Sequence, residues 1–327
     1  MEYAGSVDVG GTHTKIGLVD RDGRILAQAR LAPDPRGAFE ALAGTIVEGL
    51  ERLHGEAGGH LSAIGIGNPG YTDCRTGITV GGAFNVPCLH GNSLSASLGS
   101  RFGVPARADN DGTCAAAGEL AWGAGRGRPN FLLIALGTGI GGGLALEGRV
   151  VRGARGFAGE VGHFCVQPGG LECVCGARGC LEQYASAGAI LRLYQGLRRE
   201  RGLPTDPSLG PGGVLAAASS GDPLALQVVN EAVRAIAQVF GSVTNLLNLE
   251  ACIIGGGLSQ AGDFLLRRVR EAARGFTLPL FAEGLQVLPA ELCNDAGLLG
   301  AAALAWEAAS PQAGVPAAKR GRKFSGI

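Results

Sequence analysis

Leu136-Gly137-Thr138-Gly139-Ile140-Gly141-Gly142-Gly143 decides how this chain folds. Its glycines at 137, 139 and 142 satisfy the Gly-x-Gly-x-x-Gly spacing of a dinucleotide-binding turn. Such a turn must open a helix. Here Leu144-Ala145-Leu146 follow, then the turn pair Glu147-Gly148 and Val150-Val151. Strand follows strand, so the stretch reads as a hairpin whose backbone amides cradle phosphate. The dinucleotide fold is excluded, and so is a P-loop, because no Gly-Lys-Ser/Thr occurs.

The same pattern recurs near the N-terminus. Val7 and Val9 alternate up to Gly10-Gly11, and Ile16 and Leu18 resume the alternation. A strand, Gly/Thr turn, strand unit over Val7–Val19 and again over Ile134–Leu146 suggests two related halves with a cleft between them. In the first unit Gly10 and Gly11 leave backbone N–H groups for an anion, and Thr12 adds a hydroxyl. Asp8 offers a carboxylate where a magnesium–phosphate would sit. An ordinary glycine hairpin fits that unit as well. A third glycine turn, Gly255-Gly256-Gly257, follows the apolar Ile253-Ile254 and permits a base or ribose to lie on the backbone.

Asp109-Asn110-Asp111-Gly112 precedes an Ala-rich segment, Thr113–Trp122, that reads as a helix. A carboxylate there is either the helix cap or an ionised base able to take a hydroxyl proton during phosphoryl transfer. The local sequence leaves both open.

Cys173, Cys175 and Cys180 stand within eight residues, ten after His163. Three thiols leave one over as disulfides, and the first two are too close to pair. Three thiols and an imidazole form a set suited to tetrahedral zinc, with no open position for catalysis. The metal would brace a loop that also carries Glu160 and Glu182. A zinc-ribbon nucleic-acid module fits poorly, since no basic stripe surrounds the site.

Composition narrows the class. The chain has 327 residues, enough for one large or two medium domains. Charged residues are 17% and hydrophobic ones 46%, so the chain is globular. A formal net charge of zero gives no pull toward nucleic acid or anionic membrane. The most apolar stretch, Phe131–Leu146, is interrupted by glycines and is not a membrane span. Nine cysteines without paired spacing outside the cluster, and no signal-peptide pattern, point to a reducing, cytoplasmic setting.

Helical spacing of Phe39, Leu42, Ile46, Leu50 and Leu53 predicts a helix over 38–54. Further helices are expected over 94–102, 183–201, 214–219, 223–247, 261–273 and 296–308, the last capped by Asn294 or Asp295. Strands are expected over 63–67, 251–254 and 285–288, and a frayed tail with a basic run at 319–323 ends the chain.

Taken together, Asp8–Thr12, Asn110-Asp111, Leu136–Gly143, Glu160-Val161-Gly162-His163, the Cys173–Cys180 cluster with Glu182, and Gly255–Gly257 resemble the bacterial sugar kinases of the ROK family (repressors, open reading frames, kinases). The resemblance runs from Asp8 to about Gly300 and is strongest to glucokinases. It implies an α/β, two-domain actin-like ATPase (ribonuclease H-like) fold with the active site in the cleft between domains. Residues 1–109 would form a small α/β domain joined by a helix at about 296–309. Residues 110–295 would form a larger domain with the zinc loop, and 310–327 a flexible tail.

The implied activity is ATP- and Mg2+-dependent phosphorylation of the 6-hydroxyl of glucose, feeding glycolysis. By resemblance Asp111 is the catalytic base, and Asn110, Glu160, His163 and Glu182 hydrogen-bond the sugar, with Gly70 and Asn85 lining its pocket. Asp8, Gly10, Gly11, Thr12, Lys15, Thr138 and Gly139 would serve the ATP phosphates, and Gly255, Gly256 and Gly257 the adenosine. His163, Cys173, Cys175 and Cys180 would bind structural zinc.

Many relatives carry Lys directly after the phosphate-turn Thr; here that position is His13, and Lys15 comes two later on the same strand face. The resemblance implies a homodimer or homotetramer that acts on hexose and ATP, with no nucleic-acid or membrane partner. Kinases for N-acetylmannosamine, N-acetylglucosamine, fructose or allose are the alternatives within the family. The family's sugar-responsive repressors carry an N-terminal helix-turn-helix, for which the segment before Ser6 leaves no room.

Overall fold

The alternation around Gly10-Gly11 folds two strands back on each other, and both are buried along most of their length. In the computed structural model, which describes residues 1–310 apart from 33, 35 and 259–261, they are β1 (Glu2–Val9) and β2 (Thr14–Val19), antiparallel with Val9 opposite Thr14. β3 (Ile25–Leu31) extends the meander, and β4 (His60–Asn68) pairs with β1 in parallel. After a short hairpin of β5 (Tyr71–Thr72) and β6 (Thr79–Gly81), β7 (Ala106–Asn110) closes a five-stranded sheet in the order β3-β2-β1-β4-β7.

The second half repeats this plan. β8 (Phe131–Leu136), β9 (Ile140–Leu146) and β10 (Arg149–Val150) form an antiparallel meander, and β11 (Ala251–Gly255) and β12 (Gln286–Pro289) add in parallel. The order is β10-β9-β8-β11-β12. The recurrence seen in two short segments of sequence thus extends to whole sheets. Each Gly turn joins the first two strands of its meander.

Helices cover both sheets. In α1 (Phe39–Ala57) Leu42, Ile46, Leu50 and Leu53 are buried at helical spacing against the first sheet. α2 (Leu94–Phe102) starts at Ser93, whose hydroxyl accepts from the Ala96 N–H. α3 (Asp111–Trp122) packs on β9, while α4 (Glu182–Ala185), α5 (Ala187–Glu200), α6 (Pro211–Ser219), α7 (Pro223–Leu247) and α8 (Asp263–Ala273) build the larger core beside β8 and β11. α9 (Pro279–Ala282) is a single turn, and α10 (Ala296–Ala309) runs back to β1 and β4.

Three local expectations need correction. The helix expected over 183–201 is two, because Ser186 adopts an extended conformation, ends α4, and caps α5 by accepting from Ala189 N–H at 3.1 Å. The helix over 214–219 begins earlier, at Pro211, where proline's missing N–H costs nothing. Neither Asn294 nor Asp295 caps α10 through its side chain. Instead the Asp8 carboxylate lies against its first turn, where a Cβ at Gly297 would fall 2.5 Å from Asp8 Oδ2. The basic run at 319–323 lies outside the described residues.

α3 and α10 cross at the junction of the two halves, and glycines set their approach. A Cβ at Gly118 would come 2.9 Å from the Gly300 nitrogen. On the sheet side a Cβ at Gly65 would overlap the Ala301 carbonyl. Since that obstacle is backbone, overpacking should cost about 1–3 kcal/mol. We expect Gly65→Ala to lower the urea midpoint without changing the slope; an unaltered midpoint would show that α10 shifts freely.

Candidate active site

Two glycine turns frame the site. Gly10 N–H bonds the His13 carbonyl at 3.1 Å, which closes the first turn. Gly137 N–H bonds the Gly139 carbonyl at 3.0 Å, which closes the second. The backbone N–H groups of Gly11 and Thr12, and of Thr138 and Gly139, have no partner among the described residues. Unpaired amides in a tight turn form an anion-binding concavity. Gly256 sits beside the second turn, with φ of 80° and no room for a Cβ against the Leu136 carbonyl. The three Gly turns of the sequence therefore divide into two with free amides and one that β11 brings alongside the second.

β7 and α3 position the acid. The sequence left open whether a carboxylate caps α3; in the structure the cap is Asn110. Its Oδ1 accepts from the N–H groups of Gly112 at 2.8 Å and Thr113 at 3.2 Å. Its Nδ2 donates to the Gly70 carbonyl at 3.0 Å. Asp111 is therefore the first helical residue, with one oxygen accepting from Gly112 N–H at 2.8 Å and its side chain open to the cleft. Protein surrounds that opening on the other sides. Desolvation raises the Asp111 pKa to about 6, the Gly112 hydrogen bond opposes the rise, and the Asp8 and Glu160 charges add to it. Asp8 is itself raised by burial, with Lys15 pulling it back.

Gly142 and Gly143 serve packing. A Cβ at Gly112 would meet the Gly142 carbonyl at 2.6 Å, and one at Gly143 would reach the Gly112 carbonyl at 2.8 Å. The glycine-rich run thus seats the start of α3 directly on β9.

The thiol cluster closes the site on the other side. The ligand atoms of His163, Cys173, Cys175 and Cys180 all lie within 4.8 Å of one another. Cys175 Sγ and Cys180 Sγ are 3.6 Å apart, and Cys173 Sγ is 3.6 Å from His163 Nδ1. Tetrahedral zinc with bonds of about 2.0–2.3 Å requires ligand separations of about 3.5–3.8 Å, so the set fits zinc. The other ring nitrogen, His163 Nε2, faces Glu160 Oε2 at 3.9 Å. Glu182 Oε2 accepts from Ile140 N–H at 2.9 Å, beside the second glycine turn.

The remaining candidate residues also reach this region. Asn85 packs on Gly11, where a Cβ would come within 2.7 Å of the Asn85 Cβ. Lys15 lies opposite Asp8 in the β1–β2 register, and its Nζ donates to the Asn294 carbonyl. One half-buried group escaped sequence reasoning. Arg152 donates to Asp109 Oδ2 at 2.7 Å and to Glu307 Oε2 at 3.0 Å, tying β7 to α10. No local motif marks it, since its partners are distant in sequence. A polar pocket of ≈ 640 Å³, lined by Arg126, Arg128, Glu250 and Glu283 among others, lies at the opposite end of the second sheet, where β8 and β11 begin. Among the described residues no helix is long and apolar enough to cross a membrane.

Known proteins share this fold. Residues 4–308 match the ROK family. The chain is 36% identical to the glucokinase of Halalkalibacterium halodurans over 309 residues, 91% of this chain and 93% of that protein. It superposes on the ROK hexokinase of Thermus thermophilus with a TM-score of 0.81 at 32% identity, covering 93% of this chain and 98% of that one. A ROK glucokinase from Streptomyces griseus, solved with glucose and AMPPNP, superposes with a TM-score of 0.77 at 33% identity, covering 93% and 99%. The doubled α/β sheets are accordingly those of a two-domain actin-like sugar kinase, and the chain belongs to the ROK family.

Proposed function

We propose that this chain transfers the γ-phosphoryl group of ATP to the 6-hydroxyl of glucose, giving glucose 6-phosphate and ADP. The observation that carries the reading is the Asp111 carboxylate, left uncapped at the start of α3 and open to the cleft. It accepts the 6-hydroxyl proton as that oxygen attacks the phosphorus in line. Glu160, His163 through Nε2, Glu182 and the remaining donor capacity of Asn110 orient the other hydroxyls, with Gly70 and Asn85 beside them. Unmade hydrogen bonds in such a shell penalise the wrong sugar.

The free amides of Gly11, Thr12, Thr138 and Gly139 receive the phosphates, and Gly255–Gly257 the adenosine. Lys15 stays close enough to Asp8 to share its charge. The Asp8 carboxylate, an oxygen donor, suits magnesium, which when bound with ATP offsets phosphate charge. Zinc on His163, Cys173, Cys175 and Cys180 would fix the ring so that Nε2 faces the sugar. Residues 1–109 with α10 would close against 110–295 and exclude water.

A base with its pKa raised to about 6 is lost as pH falls through that value. The kcat/KM of the free enzyme should therefore be level above pH 7 and fall about tenfold per unit well below pH 6. A profile level down to pH 4.5 would remove Asp111 as the base. The activity itself is tested by coupled ADP release over a panel of hexoses and N-acetylhexosamines. Glucose is expected to give the highest kcat/KM; preference for an N-acetylated sugar would reassign the substrate.

A further inference from the structure

The sugar-reading segment and the phosphate turn are physically joined, and Glu182 is the joint. Its Oε2 accepts from Ile140 N–H at 2.9 Å, the residue immediately after Gly137-Thr138-Gly139. Five residues past α4's first position, Ala187 N–H donates to the Gly137 carbonyl at 2.9 Å. Residues 182–187 therefore grip the turn at both ends. The grip also explains Gly139, where any Cβ would strike Glu182 Oε2. The Glu182 backbone follows Cys180 by two residues, so the anchor of the turn belongs to the zinc-braced loop.

We infer that Glu182 is a positioning residue for the nucleotide: by holding Ile140 N–H it sets the turn in the conformation that presents the Thr138 and Gly139 amides to the phosphates, and so couples the sugar and ATP sites. The inference rests on the reading of these two sites given above. It adds a role for Glu182 that exists before any sugar arrives. The carboxylate has two oxygens. Oε2 is committed to the turn, which leaves Oε1 for a sugar hydroxyl. A sugar bound at Oε1 restrains the same side chain that holds the turn. Binding at either site then favours binding at the other by the same factor. The bond also withdraws Ile140 N–H from the phosphates, so the phosphate contacts of this turn are those of 138 and 139.

The test is AMPPNP binding without sugar, by calorimetry, on the full zinc-loaded chain. Glu182→Ala removes the acceptor and should weaken AMPPNP at least about fivefold, the lower end of typical coupling factors. Glu182→Gln keeps an oxygen for Ile140 N–H and should restore affinity to within about twofold, while losing sugar affinity. Glu283→Ala, which removes an exposed carboxylate at the opposite end of the second sheet, should leave AMPPNP affinity unchanged. Zinc content and melting temperature report whether each variant keeps its loop. Equal AMPPNP affinity in wild type and Glu182→Ala overturns the inference. A loss equal in Glu182→Gln and Glu182→Ala also overturns it, since the acceptor is then not what matters. Failure of the wild type to bind AMPPNP would instead overturn the kinase reading on which the inference stands.

Discussion

Asp111→Asn will reduce kcat by about 10²–10⁴, the usual contribution of a positioned base, or about 3–5 kcal/mol of barrier. Sugar affinity will stay within a few-fold of wild type. The structure gives reasons for both halves of that result. Asn at 111 has the same shape and can still accept from Gly112 N–H, the bond Asp111 Oδ1 makes at 2.8 Å. The α3 cap is Asn110 and is untouched. The variant also loses the repulsion from Asp8 and Glu160 that helps raise the acid, so the fold should not weaken. What disappears is the group that takes the hydroxyl proton. Turnover is read by coupled ADP release and sugar binding by calorimetry. Near-normal kcat in this variant would refute the assignment.

Features written into neighbouring residues were legible in the sequence. Leu42, Ile46, Leu50 and Leu53 recur at helical spacing and are buried on one face of α1. Val7, Val9, Ile16 and Leu18 alternate about Gly10-Gly11 and form β1 and β2. The thiol set was legible because its spacing is local. The rest depends on which backbone conformation wins. Asn110 and Asp111 are equally good caps by residue type, and only the path of β7 into α3 selects the first. Ser186 looked like one more polar position in a long helix, and it is the break. Gly142 and Gly143 read as part of a phosphate loop, yet their missing side chains admit α3. Lys15 is satisfied by Asn294, nearly the whole chain away, which no spacing could reveal.

Loss of the metal will show how far the sugar shell depends on it. Between Phe164 and Arg178 only Cys173 is buried, so apolar burial cannot hold this loop. Its order must come from the turn hydrogen bonds and the four ligand atoms gathered within 4.8 Å. Structural zinc sites contribute folding free energy outright, and removing the ion unfolds what it organises. Cys175 is exposed, so Cys175→Ser deletes a ligand with little loss of packing. We expect wild type to hold one zinc per chain by elemental analysis. Strong chelation, or Cys175→Ser, should raise the KM for glucose by at least about 10–100-fold, the usual penalty for disturbing the groups that merely support a metal's ligands. Amide hydrogen exchange should quicken across 163–182 and stay slow in β8 and α7, which lie in the buried apolar core. Cys74→Ser, at a thiol outside the cluster, should leave metal content and KM unchanged. The first sugar contact to fail should be that of His163, because its Nδ1 faces the thiols while Nε2 faces Glu160. Fully active protein without zinc would mean that the loop is braced by its own hydrogen bonds alone, and the metal would have no part in reading the sugar.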